Sequence, residues 1–122
     1  MTLSGLLRAA FLSALFVLTA SAARADVGSG LIGNTVILSA ADGAVTRVFY
    51  QDEKTIIIRA TDGTLAMGQW RVRDNSICTK MGDSQPENCT AAIDQPPVAG
   101  SAGVITGEHG DIRWSVIAGK GF

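Results

Sequence analysis

This chain of 122 residues is nearly neutral, with 10 lysines and arginines against 11 aspartates and glutamates and a net charge of −1. The even mixture of charges excludes the clustered basic surface through which proteins bind nucleic acid, so we expect no nucleic-acid partner. It also excludes a polybasic stretch of the kind that holds proteins on anionic membranes.

Residues 1–25 have the pattern of a bacterial export signal. Arg8 precedes the apolar run 9–18, and Ala23-Arg24-Ala25 supplies the small side chains that signal peptidase requires. The apolar run has about ten residues, which is too short to span the ~30 Å hydrocarbon layer of a membrane. We therefore predict a signal-peptide helix that is cleaved between Ala25 and Asp26. The mature form is then periplasmic or secreted and is not embedded in a membrane.

Short β-type segments separated by turn signals follow the leader. Two of the turns contain Asp-Gly, at Asp42-Gly43 and Asp62-Gly63, which is typical of tight hairpins. Strands are predicted over 31–39, 45–51, 55–60, 64–67, 69–73, 77–80, 89–93, 103–106 and 112–118. Their spacing predicts one small all-β domain over 26–122, an antiparallel meander closed as a barrel or folded as a sandwich.

The chain has two cysteines, Cys78 and Cys89, both in the predicted exported part. In an oxidising compartment two such thiols most simply form one disulfide. The alternative is a metal or redox pair, but the spacing is not C-x-x-C and the single histidine is distant in sequence. A bridge that closes a loop of about 12 residues stabilises a protein by roughly 2–3 kcal/mol.

Two tryptophans are predicted to be the core aromatics. Trp70 shares one face of its strand with Val72, and Trp114 shares one face of the last strand with Val116, because side chains alternate across a strand. Residues 68–70 also match the G-x-W of lipocalin-like barrels, in which the indole plugs one end of the barrel. In those proteins the motif lies near the mature N-terminus, whereas here it lies in mid-chain.

A glycine pattern over 28–33 matches G-x-G-x-x-G, which binds phosphates in dinucleotide-binding folds. That chemistry requires a buried strand before the pattern and a helix N-terminus after it. Here a leader precedes the pattern and the β-branched segment 35–38 follows it. We therefore interpret these glycines as a flexible start to the first strand and expect no cofactor.

His109, the only histidine, lies between glycines and beside Glu108 and Asp111. A metal site would need further ligands that converge from other strands, so we expect an exposed polar turn and no metal. The sequence shows no nucleophile elbow for Ser-His-Asp catalysis. The acidic pair Asp52-Glu53 lies in a turn without a recognisable cleft. The prediction is therefore that the protein has no catalytic residues and is not an enzyme.

Several turns and core residues together are similar to those of a family of small secreted β-rich proteins of alphaproteobacteria, whose function is uncharacterised. The residues that carry the resemblance are Gly33-Asn34-Thr35, Asp62-Gly63-Thr64, Gly68-Gln69-Trp70-Arg71-Val72, Cys78, Cys89 and a late strand that ends in glycine. The resemblance implies the fold and carries over no catalytic residue. This chain departs from the family at Lys80-Met81, where the family has a second aromatic residue after the first cysteine.

These observations favour an exported binding module that does not catalyse a reaction. The alternative is an inhibitor of a secreted or periplasmic hydrolase, of protease or lysozyme type, which would present a rigid loop at 81–88 or 107–111. Its partner would be a periplasmic or extracellular protein. A small-ligand binder should contain an apolar cavity, an inhibitor should have a filled core and a protruding loop, and an enzyme should have converging ionisable groups.

Overall fold

The computed structural model of the chain describes residues 26–107 and 110–122. The predicted signal peptide, including Ala25 of its cleavage site, lies outside the described residues, as do Glu108 and His109. No helix within the described ranges is long and apolar enough to cross a membrane.

The described residues form eight strands and one short 3-10 helix, Ser29–Leu31. The strands are β1 (Asn34–Ala40), β2 (Val45–Tyr50), β3 (Thr55–Arg59), β4 (Leu65–Arg73), β5 (Ser76–Lys80), β6 (Asn88–Cys89), β7 (Ala102–Gly107) and β8 (Gly110–Ala118). The predicted segments 64–67 and 69–73 are a single continuous strand, and the predicted strand 89–93 is reduced to the two residues of β6.

All eight strands belong to one antiparallel sheet, in the order β6-β5-β4-β3-β2-β1-β8-β7. The predicted all-β antiparallel fold with one disulfide is thus confirmed. The prediction of a closed barrel or a sandwich is wrong. β6 and β7 are the two edges of the sheet and do not pair with each other, which leaves a half-barrel. β6 has only two residues, so it offers few backbone groups for a further ladder, and Pro96 and Pro97 in the following segment cannot donate the hydrogen bonds of one.

Residues 90–101, here called the strap, connect β6 at one edge of the sheet to β7 at the other. Hydrogen bonds fix both ends of the strap. At its start the Thr90 amide donates to the Ile77 carbonyl at 3.0 Å, and near its end the Gly100 amide donates to the Val116 carbonyl at 2.8 Å. Between these points Ile93 packs against the core and Pro97 is buried. The strap therefore passes over the concave face of the half-barrel.

The glycine pattern over 28–33 is an ordered turn, and the prediction of a flexible start is wrong. Leu31 of the 3-10 helix is fully buried. A Cβ at Gly28 would lie 2.5 Å from the Trp70 ring, and one at Gly30 would lie 2.7 Å from the Pro97 carbonyl oxygen. Both glycines are therefore required for close packing, which accounts for the motif without a phosphate.

The C-terminal residues 119–122 pack on the convex face through Thr35. This threonine is fully buried, its hydroxyl donates to the Gly119 carbonyl at 2.7 Å, and it accepts from the Gly121 amide at 2.9 Å. The Arg47 guanidinium donates to the Gly121 carbonyl at 3.4 Å. A side chain in the first strand thus holds the last residues of the chain.

We expect Thr35→Val to lower the free energy of unfolding by about 1–3 kcal/mol, because it leaves two backbone groups of the tail without their partner. Urea denaturation measures the effect. Thr106→Val, at an exposed position of β7, is the matched control and should change stability by less than about 0.5 kcal/mol. Equal effects of the two substitutions would contradict the role of the Thr35 hydroxyl.

Candidate functional site

A cavity of about 540 Å³ lies between the concave face of the sheet and the strap. Its volume falls within the roughly 300–1,000 Å³ of pockets that hold small molecules. The residues that line it come from the 3-10 helix, from strands β1, β2, β3, β5, β7 and β8, and from the strap. They are Leu31, Val36, Leu38, Thr46, Val48, Tyr50, Ile56, Ile58, Ile77, Thr79, Thr90, Ala91, Ala92, Ile93, Gln95, Pro97, Ile105, Trp114 and Val116.

The strand register explains why these side chains meet. Val36 of β1 pairs with Val48 of β2 on one side and with Val116 of β8 on the other, and cross-strand partners point to the same face. Val48 in turn pairs with Ile58 of β3. One row of aliphatic side chains therefore crosses four strands on the concave face.

The cavity is closed at one end by packed aromatic rings. Tyr50 and Trp70 are both buried and meet edge to face, with ring centroids 4.8 Å apart. The Trp70 indole N–H donates to the Asp52 carbonyl at 2.8 Å, and Val27 belongs to the same buried cluster. Trp70 thus lies in the core at the end of the half-barrel that the N-terminal turn covers.

The opposite end of the cavity is open and apolar. Trp114 is only half-buried, and its indole lies against β7, where a Cβ at Gly103 would be 2.8 Å from the ring. Beyond it, the paired residues Ile105 and Ile112 are 47% and 36% exposed. Trp114 therefore lines the cavity rather than the closed part of the core, and the two isoleucines form its mouth.

Part of the apolar cavity wall is left uncovered by the described residues. Val36, Leu38 and Ile58 point inward yet remain only partly buried, although they pack against the core cluster. Inward-facing aliphatic side chains in a filled core would be fully buried. The concave face therefore offers apolar area that a bound molecule would cover.

The part of the cavity wall that the structure describes is also uncharged. No described residue that lines it is an aspartate, glutamate, lysine or arginine. Tyr50 is the one lining side chain with a resolved pKa shift, and burial raises its pKa to about 12. Its phenol is therefore neutral and a hydrogen-bond donor at physiological pH.

The disulfide joins Cys78 of β5 to Cys89 of β6, which are direct partners in the sheet. Cys78 is fully buried. The nearby Glu87 carboxylate accepts hydrogen bonds from Arg71 at 2.8 and 2.9 Å, and these bonds lower the pKa of Glu87. Although Glu87 and the two sulfur atoms lie close together, the disulfide removes both thiolates, so the cluster does not provide a set of metal ligands.

Of the two loops predicted to act in an inhibitor, the structure describes one in full and the other in part. In the loop 81–88, Glu87 forms an ion pair with Arg71 of β4 beside the disulfide, and the first residue, Met81, fills the space above Gly68. The turn 107–111 lies partly outside the described residues, because Glu108 and His109 are not described. The exposed turn at His109 stays a prediction.

Sequence reasoning assigned both tryptophans to inward faces but missed the cavity and the strap. Pro96-Pro97 is incompatible with a central strand, yet nothing in the sequence of residues 90–101 indicates that this segment crosses the concave face. Comparison of the chain with protein-family models, with curated proteins and with solved structures found no match. The resemblance to a secreted alphaproteobacterial family stays a prediction.

Proposed function

We propose that the protein is a non-catalytic binding module that holds a small apolar molecule between the half-barrel and the strap. The observation that carries this function is the cavity of about 540 Å³, whose described lining residues are uncharged and include inward aliphatic side chains that remain partly exposed. Covering such surface stabilises a complex by about 25 cal/mol per Å² of apolar area. The predicted signal peptide and the disulfide support a periplasmic or secreted location.

The cavity favours this function over inhibition of a hydrolase. An inhibitor acts through a rigid loop on a filled scaffold, and its sheet has no need of an unfilled concave face. It also favours binding over catalysis, since the described lining residues bring no carboxylate, amine or imidazole together.

The binding function is tested with a neutral fluorescent probe, N-phenyl-naphthylamine, added to the exported and oxidised protein. We expect saturable binding of one probe per chain with an increase in fluorescence. Ile58→Trp places an indole in the cavity and should abolish this binding. The matched control is Ile57→Trp, in which the same substitution lies on the opposite face of β3, and it should leave binding within about twofold of wild type.

Absence of saturable probe binding by the folded wild-type protein would contradict the proposal. Equal loss of binding in the two variants would contradict the assignment of the site to the concave face. Far-ultraviolet circular dichroism of both variants distinguishes a blocked cavity from a failure to fold.

A further inference from the structure

The charges of the sheet are segregated onto one of its faces. Side chains alternate along each strand, so the neighbours of the inward residues Thr46, Ile58 and Trp114 point outward. By this alternation every charged residue within the described strands falls on the convex face. These residues are Arg47, Arg59, Arg71, Arg73, Lys80, Asp111 and Arg113.

The consequence for a ligand is electrostatic. An ionised group carried into the cavity would lose its hydration and would find no described counter-charge on the wall. Transfer of an unpaired ion into an apolar environment is far more costly than transfer of a hydroxyl or carbonyl group that finds a hydrogen bond.

The cavity does offer hydrogen bonds to a neutral group. Tyr50 and Thr79 line it, and neither hydroxyl is bonded to another described residue. No fully buried side-chain oxygen or nitrogen among the described residues lacks a partner, so the Tyr50 hydroxyl keeps some accessible surface although only 7% of the residue is exposed. Thr46 adds a third hydroxyl on β2.

We propose that the ligand of this cavity is a neutral molecule with an apolar body and a hydroxyl or carbonyl group, such as a long-chain alcohol or ester, and not an ionised lipid. The inference rests on the binding function proposed above and names the class of its ligand. The apolar body lies along the aliphatic row of the concave face, and the polar group pairs with hydroxyls of the wall.

A matched series of dodecyl compounds tests the class by displacement of N-phenyl-naphthylamine at pH 7. The series consists of dodecanol, dodecanoate and dodecylammonium, which share one chain and differ in the charge of the head group. We expect dodecanol to displace the probe at a concentration at least about tenfold lower than either ion. Displacement by dodecanoate or dodecylammonium at the same concentration as dodecanol would overturn the proposal.

Tyr50→Phe tests the hydrogen bond, since it removes one oxygen and keeps the ring that packs on Trp70. We expect the affinity for dodecanol to fall about threefold to tenfold, while the affinity for dodecane, which has no polar group, stays the same. An equal change for both compounds would show a disturbed cavity and would overturn the role of Tyr50 in recognition.

The ligand class and the binding function fail in different ways. If the probe binds and Ile58→Trp blocks it, but no dodecyl compound displaces it, the proposed class is wrong and the binding function stands. If the wild-type protein binds neither the probe nor any compound of the series, the binding function itself is wrong.

Discussion

Replacement of Trp70 with alanine is expected to lower the free energy of unfolding by about 3–5 kcal/mol, the range typical of a buried tryptophan. Trp70 is 6% exposed and contacts the Tyr50 ring. Truncation also leaves the Asp52 carbonyl without the indole N–H that now donates to it at 2.8 Å. The loss is measured by urea denaturation followed by circular dichroism.

Trp114→Ala is the matched control, because it truncates the same residue type at a half-buried position on the cavity wall. Trp114→Ala should lower the free energy of unfolding by about 1–2 kcal/mol, since the Trp114 indole covers less protein surface than that of Trp70. The loss in the free energy of probe binding should be larger than this loss in the free energy of unfolding. Should Trp70→Ala fail to fold, Trp70→Phe keeps a ring and is expected to fold with a smaller loss. Equal losses in the free energy of unfolding for the two alanine variants would contradict the division of the cavity into a packed end and an open end.

The contrast between the two tryptophans shows what alternation along a strand can predict. It assigns Trp70 and Trp114 to inward faces, because it depends only on the chain's own periodicity. It does not distinguish a filled core from a cavity wall. That difference depends on how far the sheet curls and on what covers it, which are properties of contacts between distant segments.

Closure of the sheet was unpredictable from the sequence for a related reason. Most strands and turns up to β5 follow from β-branched runs and from Asp-Gly signals, so the meander of β1 to β5 is close to its prediction. The pairing of β8 with β1 is a contact between the two ends of the domain. No local pattern indicates whether the remaining edges, β6 and β7, also meet.

The glycine pattern over 28–33 is a strong local signal that does not identify the group it contacts. Its spacing matches a phosphate-binding loop, yet Gly28 and Gly30 meet Trp70 and the strap. Glycine permits close approach of any group to the backbone, whether the group is a pyrophosphate or an indole. The partner cannot be deduced from the glycines alone.

Loss of the disulfide is expected to be the second large effect. For a sequence separation of 11, the double variant Cys78→Ala, Cys89→Ala should lose about 3 kcal/mol of stability through the freed entropy of the unfolded chain. For a domain of this size the melting temperature should then fall by roughly 10–20 °C. Alanine avoids burying a serine hydroxyl at position 78, which is fully buried.

The loss should be localised as well as global, because β6 has only two residues and the strap begins at the residue after Cys89. Without the bridge, hydrogen exchange should accelerate at Thr90 and Ile93, whose amides bond to the Ile77 and Asn75 carbonyls, before it accelerates in β1 to β3. Reductant should reproduce these changes in the wild type and leave the alanine variant unaltered. Detection of two free thiols in the exported protein, or uniform acceleration across the sheet, would contradict the role of the bridge as the anchor that holds the strap over the cavity.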